Sequence, residues 1–164
     1  MHVKARWALA MLLAGILGYA PGQALPLPFD DTEAKLTQNL AREQDPVKKA
    51  KLEIKLARLT LLRAKDTRGK GEAEESLKLL QAYRAHIENA WNLLQKSGRA
   101  AHKKPQGFKE LDIELREDGR YLEDLKRSFS LADREPIEKI IADVERIRAD
   151  VLKALFPAVV GATP

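Results

Sequence analysis

Apolar side chains recur every three or four positions through most of the chain after residue 45. This spacing places them on one face of an α-helix. The pattern is clearest in FKELDIELREDGRYLEDLKRSF, residues 108–129, and in the segment 137–155, where Ile, Val or Leu occurs at every turn. The density of Ala, Leu, Lys, Arg and Glu favours helix over strand in the remaining segments as well.

Capping and breaking residues divide this pattern into separate helices. Asp45-Pro46 is typical of a helix start, because Asp accepts hydrogen bonds from unpaired N–H groups and Pro fits the first turn. The glycines of RGKG and Gly98 are typical of helix ends. The sequence therefore predicts an all-α fold, an antiparallel bundle of about four helices at about 46–67, 72–97, 107–129 and 134–155.

The first 44 residues follow a different pattern. MHVKAR carries two cations, WALAMLLAGILGYA is mostly apolar, and PGQALPLP follows, which is the three-part layout of a secretory signal peptide. We predict a signal peptide at 1–24, cleaved after Ala24. An uncleaved anchor is the alternative, but the prolines and Gly22 would break a spanning helix. A linker and weak N-terminal helix at 25–44, a bundle domain at 45–156 and a flexible tail at 157–164 would follow.

Composition supports export to a bacterial periplasm or exterior. The 164 residues include 29 Lys+Arg, 24 Asp+Glu and no Cys. Because the leader holds two of the cations and no acid, the mature part would carry a net charge of about +3. A chain of this length can bury a sizeable core without disulfides. The lack of Cys fits a bacterial exported protein better than a small disulfide-built domain, and no transmembrane segment is expected after cleavage.

Two of the apolar stripes are each interrupted by one charge. The second helix carries Leu77, Leu80, Arg84, Ile87, Trp91 and Leu94 at heptad spacing, and the third carries Phe108, Leu111, Leu115, Asp118, Leu122 and Leu125. If these helices form an antiparallel hairpin, one register places Arg84 opposite Asp118. We interpret the two as a structural ion pair that fixes the register. A solvated Asp118 at a kink near Gly119, or a catalytic or ligand-binding carboxylate, are the alternatives.

The first helix of the bundle carries two apolar stripes, although a surface helix needs one. One stripe consists of Leu52, Leu56, Leu59 and Leu62. Either the segment 31–44 or the tail covers this stripe, or it is a face that binds another protein or a second copy of the chain.

The sequence also contains a faint internal echo, that is, a weak match between two segments 59 positions apart. PVKKAKLEIKL from Pro46 and PQGFKELDIEL from Pro105 share Pro, Leu, Ile and Leu. A duplicated hairpin would predict solenoid-like stacking of two helix pairs, but heptad spacing by itself also produces such matches.

The sequence offers little material for catalysis. The mature part holds only His86 and His102, has no Cys, and lacks both H-E-x-x-H and a phosphate-binding glycine loop. Neighbouring acids such as Glu114 and Asp118 have solvation as their ordinary explanation. We therefore expect no enzyme activity, no metal and no cofactor.

A basic end is a second candidate site. Alternating helix directions would bring the start of the first helix, the end of the second and the start of the third together. That end would gather Lys48, Lys49, Lys51, Lys96, Arg99, Lys103, Lys104 and Lys109. Such a cluster could bind an anionic envelope surface, or it could be a solvated end. The lack of stacking aromatic residues argues against nucleic acid.

The segments DPVKKAKLEIKLARL and GFKELDIELREDGRYLEDL, with the leader and the absence of Cys, resemble small exported bacterial all-helical proteins of unassigned function. This resemblance covers about 45–155 and implies no site residues. In size, charge and lack of Cys the chain is also similar to Spy/CpxP-type periplasmic chaperones. Their L-T-x-x-Q motif fails here, because Leu36-Thr37 is followed by QNL.

The sequence therefore predicts an exported, non-catalytic helical protein that acts as a protein-interaction or structural module, binding another protein or itself. The alternatives are an anion- or envelope-binding protein that uses the basic end, and a small chaperone-like holdase.

Overall fold

The computed structural model describes residues 28–157, and every regular element in that part of the chain is helical. The helices are α1 (Pro28–Arg42), α2 (Pro46–Gly69), α3 (Ala73–Lys96), α4 (Phe108–Ser128) and α5 (Glu135–Leu155), with a 3₁₀ turn at Leu131–Asp133. The all-α fold is confirmed, and the four bundle helices begin and end within two residues of the predicted positions. The predicted signal peptide and residues 158–164 of the predicted tail lie outside the described residues.

The start and the end of α2 follow the local signals in the sequence. Oδ1 of Asp45 accepts hydrogen bonds from the backbone N–H groups of Val47 and Lys48, at 2.8 and 3.0 Å. Pro46 then occupies the first helical position, where its missing N–H leaves no gap. The helix continues through Gly69, and the chain reverses at Gly71, whose φ of +89° is accessible mainly to glycine.

The four bundle helices form two antiparallel hairpins, α2–α3 and α4–α5, which stack side by side. In this stack α2 lies next to α4 and α3 lies next to α5, whereas α3 and α4 are diagonal and share few contacts. Lys51 pairs with Glu110, and Arg58 pairs with Asp118. These partners are 59 and 60 positions apart, and both pairs join α2 to α4. The two helices therefore run parallel.

The same offset joins α3 to α5. Nη1 of Arg84 lies 2.9 Å from a carboxylate oxygen of Asp143, 59 positions later. The offset of the faint sequence echo is thus the offset at which the two hairpins are aligned. The stacking agrees with the solenoid-like alternative raised from the sequence, while the common origin of the hairpins stays a prediction.

The core lies between the two hairpins and is built from one face of each helix. Trp91 of α3 meets Phe108 of α4 edge-on, with 6.2 Å between ring centroids. The largest side chains with almost no exposure are Leu61, Leu80, Tyr83, Ile87, Leu94, Leu111, Leu122, Ile137, Ile147 and Val151. A buried face of this extent is the main source of stability for helices of this length.

The short helix α1 lies against the outer side of α2. Glu33 of α1 forms an ion pair with Arg63 of α2. Leu56 of the second apolar stripe is 2% exposed, and Leu52, Leu59 and Leu62 are half-buried. The N-terminal segment therefore covers this stripe in part, which is one of the two arrangements expected from the sequence.

Candidate functional site

Asp118 is fully buried on α4, and its partner is Arg58 of α2. Nη1 of Arg58 lies 2.6 Å from Oδ1 of the carboxylate, and the Asp118 side chain has no exposed surface. Asp118 therefore forms a buried ion pair that joins α4 to α2. Gly119 lies within α4, which continues without a break to Ser128.

The prediction that Arg84 pairs with Asp118 is wrong. Arg84 lies on α3, is 40% exposed, and pairs with Asp143 of α5 and Glu88 of its own helix. The physical reason is the order of the helices in the bundle. The stripes of α3 and α4 do not face each other across a hairpin, because α2 lies beside α4 and supplies the cation instead.

A second carboxylate joins this buried pair. Oε1 of Glu114, one turn before Asp118, lies 3.5 Å from the same Nη1 of Arg58. The buried Tyr83 of α3 borders the group, and the Arg58 guanidinium lies 4.7 Å from the ring centroid of Tyr121. Glu114 was expected to be solvated, but it is in fact mostly buried, with 19% of its side chain exposed.

Burial dominates the electrostatics of this cluster. Loss of water raises the pKa of Asp118 above its ordinary value, although the hydrogen bond and the charge of Arg58 oppose the change. The pKa of Glu114 rises to about 7, first because of burial and then because of the negative charge of Asp118. Burial also raises the pKa of Tyr83 well above its ordinary value. The arrangement can therefore hold a proton at neutral pH.

A further polar contact joins α2 and α3. Nδ1 of His86 lies 2.6 Å from Oε2 of Glu53, whose side chain is 9% exposed. The apolar and charged pattern of the sequence indicates no partner for His86. The sequence does not give the register of the α2–α3 hairpin. In the register that brings the Ser76 hydroxyl to the Ala64 carbonyl, His86 of α3 lies beside Glu53 of α2.

The predicted basic end is a real end of the bundle. Gly107, just before α4, lies so close to the end of α3 and the start of α2 that a Cβ there would be 2.5 Å from Leu94 and 3.0 Å from Val47. Its φ is +88°. The start of α2, the end of α3 and the start of α4 therefore meet, as the sequence predicted.

The eight cations of that end have different surroundings. Lys51 pairs with Glu110 at 2.6 Å, Arg99 lies 3.5 Å from Asp45, and Lys49 is half-buried. The other five are exposed, and no carboxylate of the described residues lies within ion-pair distance of them: Lys48, Lys96, Lys103, Lys104 and Lys109. Residues 96–109 carry five cations and no acid. We name the five exposed lysines, Lys48, Lys96, Lys103, Lys104 and Lys109, the lysine end.

Neither a metal site nor a membrane span emerges from the part of the chain that the structure describes. Within residues 28–157 no three His, Cys, Asp or Glu side chains are grouped to hold a metal ion. No helix in that range combines the length and the apolar character needed to cross a bilayer.

Comparison with known proteins adds no relative. No protein-family model matches the chain, and no curated protein or solved structure matches it. The resemblance to small exported helical proteins stays a prediction.

Proposed function

We propose that this protein is an exported, non-catalytic binding module that uses the lysine end to contact an anionic surface of the cell envelope. The observation that supports this most is the exposure of five lysines around the junction of three helices, without carboxylate partners among the described residues. The lysine end is more accessible than the stripe of Leu52, Leu56, Leu59 and Leu62, because α1 lies against α2 there.

The chemistry of the lysine end suits a surface better than a single small ligand. Lysine ammonium groups are point charges on flexible stems, so they make many weak contacts instead of one fixed geometry. Each Lys near an anionic membrane contributes about 1 kcal/mol of attraction. Asp45 and Glu110 already neutralise the helix starts at this end, through contacts with backbone N–H groups of Val47 and Gly107. The attraction would therefore come from the lysines themselves.

Vesicle sedimentation with the purified mature chain tests this proposal. We expect binding to vesicles that contain phosphatidylglycerol, no binding to vesicles of phosphatidylcholine, and loss of binding when the salt concentration is raised. The variant Lys103→Gln/Lys104→Gln should bind several-fold more weakly. Lys78→Gln/Lys139→Gln is the matched control, since it removes the same charge from exposed lysines at the opposite end of the bundle.

The outcomes separate a specific surface from general attraction. Equal losses in the two variants would mean that net charge alone drives binding, and the lysine end would have no special role. Absence of binding to anionic vesicles at low salt would contradict the proposed function outright.

A second candidate is protein binding through α2, and the grooves beside α1 favour it. Open grooves border α1 on more than one side, including one lined by Asn39, Gln44 and Leu52 and another lined by Leu40, Asn89 and Leu93. Displacement of α1 would expose the leucine stripe of α2. Crosslinking in intact cells tests this candidate, because a single dominant partner that is lost in Leu52→Glu/Leu59→Glu would support it. Capture of many unrelated exported proteins would favour a holdase.

A further inference from the structure

The interior of the bundle holds two carboxyl groups and one cation. Glu114 and Asp118 are four positions apart on α4, so their side chains are neighbours on the same helical face. Arg58 contacts both, at 3.5 and 2.6 Å. Among the described residues, Oε1 of Glu114 and Oδ2 of Asp118 accept no hydrogen bond of normal geometry, although the hydroxyl of Tyr83 borders Asp118. Two carboxylate oxygens of the buried group are therefore without a donor.

Each helix packed around this group contributes a defined set of charges. From α2 comes Arg58, the one cation in contact with the carboxylates. From α3 comes Tyr83, whose hydroxyl is neutral at physiological pH, and burial raises its pKa further. From α4 comes Glu117, whose negative charge adds to that of the pair. With both carboxyl groups ionised, the buried group would carry one uncompensated negative charge.

The fourth helix does not supply the missing positive charge. Asp143 of α5 pairs with Arg84 on α3, and Arg148 of α5 pairs with Asp112 on α4. Both ion pairs therefore use groups other than Glu114 and Asp118. Tyr121 of α4 contributes its ring to Arg58, which holds the guanidinium in place without changing the charge of the group.

We propose that Glu114 and Asp118 form a buried proton-binding site, in which Glu114 takes up a proton in mild acid and releases it in mild alkali. The ligand is a single proton, and its binding converts the Glu114 carboxylate to a carboxylic acid. The acid can donate a hydrogen bond to the neighbouring carboxylate, and the cluster then contains one anion and one cation. Release of the proton to water leaves two buried carboxylates on one guanidinium.

The direction of the pH effect follows from the two states of Glu114. In the folded protein its pKa is about 7, above the ordinary value of 4.5 for an exposed glutamate. The folded state therefore binds the proton more tightly than the unfolded state, and stability increases as the pH falls. The gain is complete below about pH 4.5 and is lost as the pH rises through about 7. The folded domain should thus be more stable in mild acid than in mild alkali.

Thermal unfolding between pH 5.5 and 8.5 tests the site. The midpoint of the wild-type protein should fall as the pH rises through 7. Glu114→Gln, which keeps the shape of the protonated acid, should have a flatter profile over the same range. Glu138→Gln is the control on an exposed side chain of α5, and its profile should parallel the wild type. Because Glu114→Gln retains His86 and His102, the difference between its profile and the wild-type profile isolates Glu114.

A carboxyl-carbon NMR titration of the wild-type protein gives a second readout that needs no variant. The Glu114 carboxyl signal should change with a midpoint near 7, and the signal of Glu138 should change near its ordinary value. Parallel unfolding profiles of wild type and Glu114→Gln would overturn the proposal. So would a Glu114 carboxyl that titrates near 4.5, and this second test applies even if Glu114→Gln does not fold.

Discussion

Arg58 of α2 places a guanidinium nitrogen 2.6 Å from the carboxylate of Asp118 on α4, sixty positions later in the chain. The carboxylate is fully buried, and the guanidinium keeps 27% of its side-chain surface exposed. The contact exists because α2 and α4 run parallel, so that positions about 60 apart lie at the same height in the bundle. It joins the two hairpins through the core.

The first prediction compares the two arginines that could pair with Asp118. Arg58→Ala leaves a buried carboxylate without its cation and should destabilise the protein by about 3–5 kcal/mol. Arg84→Ala removes an exposed partner of Asp143 and should cost about 1 kcal/mol or less. Urea unfolding at pH 7 measures both values. Similar losses in the two variants would mean that Arg58 is not the partner on which Asp118 depends.

A double variant sharpens this comparison. Arg58→Met/Asp118→Leu removes both charges and leaves none of them buried alone. It should be milder than Arg58→Ala, because Asp118 is no longer a buried charge and Glu114, the remaining acid of the cluster, can bind a proton. If the double variant is less stable than Arg58→Ala, an isolated buried charge is not the main reason why Arg58→Ala loses stability.

The wrong partner for Asp118 shows what the apolar pattern can specify. The spacing of Leu111, Leu115 and Leu122 around Asp118 predicts that this face of α4 is buried, and the face is buried. It does not say which neighbouring helix covers the face, because stripes at heptad spacing fit more than one partner in more than one register. The offset of 59 between the segments from Pro46 and Pro105 was the one signal that pointed to α2 beside α4.

The basic end could be predicted, whereas its internal pairing could not. Alternating helix directions are enough to bring Lys48, Lys96 and Lys109 to one end, and short connections favour that alternation. The contacts of Lys51 with Glu110 and of Arg99 with Asp45 depend on side-chain positions. The burial of Glu114 could not be predicted for a related reason. An acid one turn before Asp118 on a charged helix is expected to face solvent unless the position of α2 is known.

The second prediction concerns the close approach at Gly107. A Cβ at this position would lie 2.5 Å from Cδ2 of Leu94, and the φ of +88° is unfavourable for any other residue. Gly71 has nearly the same φ, +89°, and nothing within 4 Å of the position of a Cβ. Gly71→Ala should therefore cost about 1–2 kcal/mol from the backbone alone, and Gly107→Ala should cost about 1–3 kcal/mol more from overpacking. Equal midpoints in urea would rule out the steric contribution.

The third prediction concerns the pair formed by His86 and Glu53. His86→Ala would leave the buried carboxylate oxygen of Glu53 without its partner, which should destabilise the protein by about 1–3 kcal/mol. His102→Ala, on an exposed loop residue, is the control and should change stability by less than about 0.5 kcal/mol. Chemical denaturation at pH 7 gives both values. An unchanged His86→Ala variant would show that Glu53 finds another donor, such as water, at no net cost.

The fourth prediction concerns the attachment of α1 to α2. Leu40 is half-buried on α1 and lines a groove with Leu93 of α3, so Leu40→Asp replaces a half-buried apolar side chain of α1 with a charge. We expect α1 to separate from the bundle in this variant, and hydrogen exchange of the α1 amides should speed up by at least tenfold while exchange in α3 and α5 stays slow. Asn39→Asp introduces the same charge at an exposed neighbouring position and should leave exchange in α1 unchanged.

The same Leu40→Asp protein should bind more of an apolar dye, because Leu52, Leu59 and Leu62 lose their cover. Fast exchange throughout the bundle would instead mean that α1 is an integral part of the core, and slow exchange in α1 would mean that contacts other than Leu40 hold it in place.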